Sequence, residues 1–368
     1  MPTVSFVVPC FKLAEFLGDC VHSILSQTYE DFEILIMDDC SPDHTGDVAQ
    51  SLKEDSRVKY IRNEFNLGHL RNYNKAIGLS RGRYIWLISA DDRLRSRQVL
   101  SRYLQLMERR PEIGFAFCPA IGIRDGTESG LISWSFHGNR DVVFNGRDFL
   151  KKLLKANCVA APSVLARTEC YDKSLFPMDL PNTGDWFLWC LFAMHYDVAY
   201  FAEPMVHYRL HENQMTNWFL SEEPLLHAEN DIIVRWRTMK SAQEAGLSSL
   251  ASDCAESLAS FAAYHIACSE DGDRKVLNAL AVQNLLRKYA ADENEREAME
   301  CLLVKALGDQ YLDRGMRSKA AECYGNALRR GPVSGKLLAK YGLSRMGSMG
   351  SYVLDGLRLI RGSRGSPA

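Results

Sequence analysis

The sequence has no run of the ~18–20 apolar residues that a membrane-spanning helix needs. Its eleven cysteines include no C-x-x-C pair. That argues against a zinc ribbon or a dithiol redox motif and fits buried thiols in a reducing compartment. An excess of either charge is missing too. Lys and Arg number 44 against 46 Asp and Glu, a formal net charge of −2, which leaves no electrostatic footprint for nucleic acid. The opening stretch MPTVSFVVPC lacks a basic segment followed by a long apolar one, so no secretory leader is expected and a cytoplasmic location is. Nor does a glycine-rich loop follow the first apolar segment, which continues as PCFKLAEF. A nucleotidyltransferase that cradles phosphates in such a loop is thereby disfavoured. What is there is an ordinary globular composition: 368 residues, 46% hydrophobic and 24% charged, enough for two or three domains and a sizeable core.

The first 120 residues alternate between two kinds of segment. Val-rich or aromatic runs at 3–9, 32–39, 58–63, 83–89 and 113–120 are predicted strands. Between them, apolar residues at helical spacing predict helices over 13–26, 42–54, 68–80 and 95–110. Strand–helix–strand units with near-continuous apolar strands indicate an α/β fold, a mostly parallel sheet with helices on both faces. Residues 121–215 are less regular. A strand is expected at 130–134, a helix at 146–156, a strand at 161–167 and a helix at 183–196. A strand pair interrupted by Pro204 is expected over 199–216. From about 221 strand patterns vanish and helical ones run nearly to 345. The expected organisation is a catalytic-type α/β domain over 1–220, a helical appendix over 221–345 and a basic tail over 346–368.

Ligands of parallel sheets sit at the carboxyl ends of the strands. Three predicted strand ends converge on that rim: Pro9 and Cys10 end the first strand, Asp38 and Asp39 the second, and Asp91 with Asp92 follow the fourth in "YIWLISADDR", so the rim is rich in carboxylate. Adjacent acids at a strand end can hold Mg²⁺ or Mn²⁺, often with a substrate's phosphates completing the shell. Taken alone, such a pair is more often a solvated turn or the cap of the helix that follows.

The segments VSFVVPCFK, ILSQTYEDFEILIMDDCSPDHT, NLGHLRNYNKAI and GRYIWLISADD, in that order over residues 3–120, together resemble the family 2 glycosyltransferases of the GT-A fold. The resemblance implies a nucleoside-diphosphate-sugar donor, UDP- or dTDP-linked, lying across the sheet rim. Pro9 and Phe11 would pack around the nucleobase, Asp39 would contact base or ribose, Arg71 would help hold the nucleotide, and Asp91 would face the ribose. Asp92 would bind the cation, Mn²⁺ or Mg²⁺. Ser89 stands where many relatives have a further Asp. NTGDWFLWCLFA is similar to the segment carrying the family's catalytic base, which places that role on Asp185. Its other reading is a helix N-terminal acid favoured by the dipole. The resemblance extends to VHYRLHENQMT, where His211 is assigned to the metal–diphosphate region and Arg209 to structure or phosphate. The implied reaction is inverting transfer of a sugar to a glycan or lipid-linked acceptor hydroxyl in polysaccharide or glycoconjugate synthesis. The alternative is a degenerate domain that binds nucleotide-sugar or serves as a scaffold. Polymer-forming relatives carry Q-x-x-R-W; here Arg235 and Trp236 are present and Ile232 replaces the Gln.

Within the appendix, residues 301–334 resemble one tetratricopeptide unit through Val304, Leu307, Gly308, Tyr311, Ala320, Tyr324, Ala327 and Pro332. A single repeat cannot bury its own face, so neighbouring helices must cover it. A protein partner or self-association through this region and a plain helical hairpin are both open readings. The tail has apolar residues at 352, 353, 357 and 360 and Arg358, Arg361 and Arg364. It reads either as a basic amphipathic helix on a membrane surface or as a terminal packing helix.

Overall fold

The structure, a computed structural model, describes residues 1–212, 214–272 and 276–346. The tail expected over 346–368 therefore lies, from 347 on, outside the described residues. The chain divides into two compact units, one ending at Ser221 and the other starting at Glu222.

The first unit opens with β1 (Val4–Cys10), α1 (Ala14–Leu25), β2 (Phe32–Asp38), α2 (Thr45–Leu52), β3 (Val58–Arg62), α3 (His69–Leu79) and β4 (Tyr84–Leu87). All seven residues of β1 and all seven of β2 are buried. Consecutive side chains of a strand point to opposite faces, so both faces of the sheet are covered here. That is why these strands read as unbroken apolar runs rather than alternations. There follow β5 (Arg93–Leu94), α4 (Val99–Met107), β6 (Ile113–Phe117), β7 (Ala120–Arg124), β8 (Thr127–Leu131), β9 (Val142–Phe144) and α5 (Gly146–Leu153). The unit closes with β10 (Leu165–Arg167), α6 (Thr168–Tyr171), α7 (Gly184–His195), β11 (Asp197–Tyr200), β12 (Val206–Arg209) and α8 (Met215–Glu222).

The strands form an eight-stranded sheet, β3-β2-β1-β4-β10-β6-β11-β9, and a smaller one, β5-β12-β7-β8. Pairing is parallel through β3, β2, β1 and β4 and between β6 and β11. It is antiparallel on both sides of β10 and at β9. The sheet is thus mixed, with its parallel half towards the N-terminus. The core stacks aromatics across it: Phe6 on Trp86 with centroids 5.5 Å apart, Trp86 on Tyr103 at 4.8 Å and Tyr103 on Phe201 at 4.6 Å. The buried polar ends of this column are satisfied. Trp86 Nε1 donates to the Pro162 carbonyl at 2.8 Å and the Tyr103 hydroxyl to that of Ser163 at 2.9 Å.

Four expectations change. The strand read at 161–167 opens with a 3₁₀ turn at Ala161–Ser163, and only Leu165–Arg167 pair, as β10. The stretch 199–216 is not a hairpin: β11 joins the large sheet beside β6, β12 joins the small sheet beside β7, and Met215 and Thr216 already belong to α8. Pro204 lies between the strands because it marks the crossing from one sheet to the other. The strand read at 130–134 is β8, ending at Leu131, and the residues after it make a 3₁₀ turn at Ser133–Ser135. The helix read from 95 begins at Val99, with β5 just before it.

The second unit is helical: α9 (Pro224–Glu244), α10 (Ser248–Glu270), α11 (Ala279–Tyr289), α12 (Glu293–Asp313), α13 (Arg317–Arg330) and α14 (Gly335–Arg345). The tetratricopeptide-like positions fall on the α12–α13 hairpin. Gly308 is small for a reason, since a Cβ there would meet the Tyr324 ring at 2.6 Å. Tyr311, Ala320, Tyr324 and Ala327 are buried together with Ala267 of α10 and Leu337 of α14. Helices on either side of the hairpin thus cover it, as a lone repeat requires.

Candidate active site

The rim at the carboxyl ends of β1, β2 and β4 is shaped by two strained turns. Lys12 and Cys40, neither a glycine, hold left-handed φ values of 57° and 62°. Such backbone costs about 1–3 kcal/mol and persists where its surroundings fix it. Asp38 does the fixing. Its Oδ1 accepts from the Ser41 N–H at 2.8 Å, and its Oδ2 from Tyr60 at 2.7 Å and Arg62 at 2.6 Å. The Ser41 hydroxyl in turn accepts from the Lys12 N–H at 3.1 Å.

Asp39 faces the other way and organises the next wall. Its Oδ1 accepts from Asn63 Nδ2 and the Leu67 N–H, each at 2.8 Å, and its Oδ2 from the Gly68 N–H at 2.9 Å. Gly68 has φ +81° at the start of α3, a conformation glycine adopts without steric cost. Asp39 therefore fixes both the loop before α3 and the entry into that helix. A groove of about 360 Å³ opens here, walled by Pro9, Phe11, Asp39, Asn66, Asp91 and His211 among others. That volume falls within the ~300–1,000 Å³ of small-molecule sites. Phe11, 40% exposed, offers an apolar face at its edge.

At the end of β4 the two acids part. Asp91 Oδ2 meets His211 Nε2 at 3.0 Å, while its Oδ1 is buried without a partner. Asp92 is buried, and its Oδ1 accepts from the Arg209 N–H at 2.9 Å. Burial first, and the charge of Asp91 second, push the Asp92 carboxyl well above the usual carboxylate range. Arg209 ties the two acids to β12: its Nε donates to the Asp91 carbonyl at 2.7 Å, and its guanidinium lies 4.5 Å from the centroid of the Phe16 ring. Among the described residues no group of three or more His, Cys, Asp and Glu side chains is placed to hold a metal ion. The carboxylate–imidazole pair of Asp91 and His211 is what the rim offers a cation.

A second cleft, about 200 Å³, adjoins the groove and shares His69, Tyr73, Ser89 and Asp91 with it. Asp185 lies in its wall, in the first turn of α7. Its Oδ1 accepts from the Trp186 N–H at 2.7 Å and its Oδ2 from Asn157 Nδ2 at 3.3 Å. Burial pushes its carboxyl up to about 6, against those hydrogen bonds. The aromatic rings of Tyr73, Tyr171, Phe176, Trp189, Tyr208 and Phe219 enclose the remainder.

Of the residues singled out by sequence, Pro9, Phe11, Asp39, Asp91 and His211 share the groove, and Asp91, Asp92 and Asp185 share the cleft. Arg71 is on an exposed turn of α3 and lines neither. The sequence did not single out Tyr73, Trp189, Tyr208 or Asn157. Tyr73 sits one helical turn after His69, a spacing that could have flagged it. Asn157 lies in an irregular loop and carries no periodic signal.

Residues 5–167 match the model of the family described as Glycosyl transferase family 2. The chain is 28% identical over 228 residues to a glycosyltransferase of Haemophilus influenzae, covering 60% of this chain and 70% of that one. It is 31% identical over 111 residues to GlyG of Streptococcus pneumoniae, covering 30% of this chain and 37% of that one. It is 32% identical over 127 residues to TuaG of Bacillus subtilis, named for teichuronic acid biosynthesis, covering 34% and 50%. In the last two cases the match spans half of the relative or less. Among solved structures, residues 1–349 of S. aureus TarS with UDP superpose with a TM-score of 0.59 at 15% identity, over 89% of this chain and 90% of that one. The same protein with UDP-GlcNAc gives 0.57. The matched segment and the shared fold agree with the rim described above: residues 5–167, within the N-terminal α/β unit, match the family 2 glycosyltransferases, and that unit has a GT-A fold.

Proposed function

We propose that the protein transfers a sugar from a UDP- or dTDP-linked donor to a hydroxyl of a glycan or lipid-linked acceptor, inverting the anomeric centre. The observation that carries this reading is the junction of the two cavities. A groove of about 360 Å³ reaches Asp91, and the adjoining cleft holds a buried carboxylate, Asp185, whose affinity for protons is raised.

In this reading Pro9 and Phe11 flank the base and Asp39 meets base or ribose with the lone pairs its loop contacts leave free. The acceptor hydroxyl attacks the anomeric carbon as the bond to the diphosphate oxygen breaks. Asp185 takes the hydroxyl proton, and the nucleoside diphosphate leaves. One displacement inverts the centre. A base poised near 6 is ionised at neutral pH yet basic enough to accept that proton.

The donor set fits a divalent cation. Asp91 has a buried oxygen without a partner, and a carboxylate with an imidazole, completed by donor phosphates, suits Mn²⁺ or Mg²⁺. Asp91 and His211 would hold it: Asp91 takes the ligand role that the resemblance gives Asp92, because Asp92 is buried behind it on the Arg209 N–H. Such a cation would offset charge on the departing diphosphate. The names of TuaG and TarS's bound UDP-GlcNAc support a polysaccharide or glycoconjugate role and a uridine donor.

The test is a thermal-shift screen of nucleoside-diphosphate sugars with and without Mn²⁺, followed by transfer assays. A donor that stabilises the protein only with metal supports the reading. Stabilisation by no nucleotide under either condition contradicts it.

A further inference from the structure

Asp185 is held from two sides, and one of the holders is not part of its own helix. Asn157 stands in the loop between α5 and the 3₁₀ turn at Ala161–Ser163, the turn whose Ala161 and Pro162 line the cleft. Its amide is fixed at both ends. Oδ1 accepts from the Val159 N–H at 3.2 Å, and Nδ2 donates to Asp185 Oδ2 at 3.3 Å. A carboxylate only accepts, and a backbone N–H only donates. Both contacts therefore require the same amide orientation, with nitrogen towards Asp185. The other carboxylate oxygen is fixed by the Trp186 N–H at 2.7 Å.

We infer that Asn157 is a positioning residue for the base: it fixes the rotation of the Asp185 carboxylate through its amide. This rests on the assignment of Asp185 as base. A donor to the charged form lowers a carboxyl's pKa, whereas burial raises it, and Asn157 is among the hydrogen bonds that oppose burial here. Without that amide, more of the carboxyl would be protonated at neutral pH, and what remained ionised would be held by the Trp186 N–H alone.

Other titratable groups face the same cleft: His69 and Tyr73 of α3, Asp91 and Asp92 after β4, Tyr171 of α6 and Tyr208 of β12. They are common to the wild type and an Asn157 variant, so the difference between the two isolates the amide.

The experiment is a carboxyl ¹³C NMR titration of the full chain labelled at aspartate, with the Asp185 signal assigned by its loss in Asp185→Asn. Asn157→Ala is expected to raise the Asp185 midpoint by about half to one pH unit. Asn157→Gln, which keeps an amide donor, is expected to return it towards the wild-type value. Asn157→Asp sets a second carboxylate against the first and is expected to raise the midpoint further. It is nearly isosteric and carries the test should Asn157→Ala fail to fold. An Asp185 midpoint unmoved in the folded variants overturns the inference. Native-rate transfer by Asp185→Asn would instead overturn the base assignment, and the titration would still report on the contact itself.

Discussion

At the scale of single residues the account rests on three carboxylates in three environments. Asp38 is consumed by its own chain, Asp91 keeps an unpartnered oxygen, and Asp185 is buried with its proton affinity raised. Asp185→Asn is expected to lower kcat by about 10²–10⁴-fold, the usual range for removal of a general base, with donor KM little changed. Steady-state kinetics with varied donor checks this. The acidic limb of the wild-type kcat/KM profile should have its midpoint near 6. The sign follows from the role: a base works ionised, so activity falls as pH drops through that midpoint. His211→Ala is expected to abolish the Mn²⁺-dependent part of the donor-induced Tm shift, measured by thermal unfolding. The acids were legible because unbroken apolar strands end in them, and elementary topology puts such ends on one rim. Neither Asn157 nor the partner choices of Asp91 and Asp92 could be read in the same way. Those depend on which backbone N–H the β12 strand brings alongside, a contact 117 residues distant in sequence.

At the scale of elements, periodicity identified the parallel half of the large sheet because each of β1 to β4 is followed or preceded by a helix of clear spacing. It missed β5, β7 and β9 and mispaired β11 with β12. β9 has only three residues, none of them buried, and β5 has two. Segments that short hold their shape through tertiary pairing rather than through local pattern. In the helical unit, one glycine carries a checkable consequence. Gly308→Ala would drive a methyl against the Tyr324 ring. Overpacking of this kind costs about 1–3 kcal/mol, so a lower urea midpoint for the second unit is expected. An unchanged midpoint would mean that the α12–α13 contact yields without cost.

At the scale of the whole molecule, every residue lining the groove and the cleft belongs to the unit that ends at Ser221. No helix among the described residues is long and apolar enough to cross a membrane. The change in text near residue 221 was legible because strand patterns stop there. The covering of the tetratricopeptide-like hairpin by α10 and α14 was required by physics, but the sequence did not say which helices would do it. A fragment ending at Glu222, the last residue of α8, is expected to bind UDP with a Kd within about threefold of the full chain, since RT ln 3 is only about half of the 1.4 kcal/mol that makes a tenfold change. Isothermal titration calorimetry decides it, and loss of binding in a folded fragment would contradict a self-contained site.

The most direct test of the central claim is a crystal structure of the full chain grown with UDP and Mn²⁺. The account predicts the base beside Pro9, Phe11 and Asp39, the diphosphate and the ion at Asp91 and His211, and the open end of the diphosphate directed to the cleft of Asp185. Nucleotide bound elsewhere, or a groove left vacant with Asp91 still paired only to His211, would contradict it.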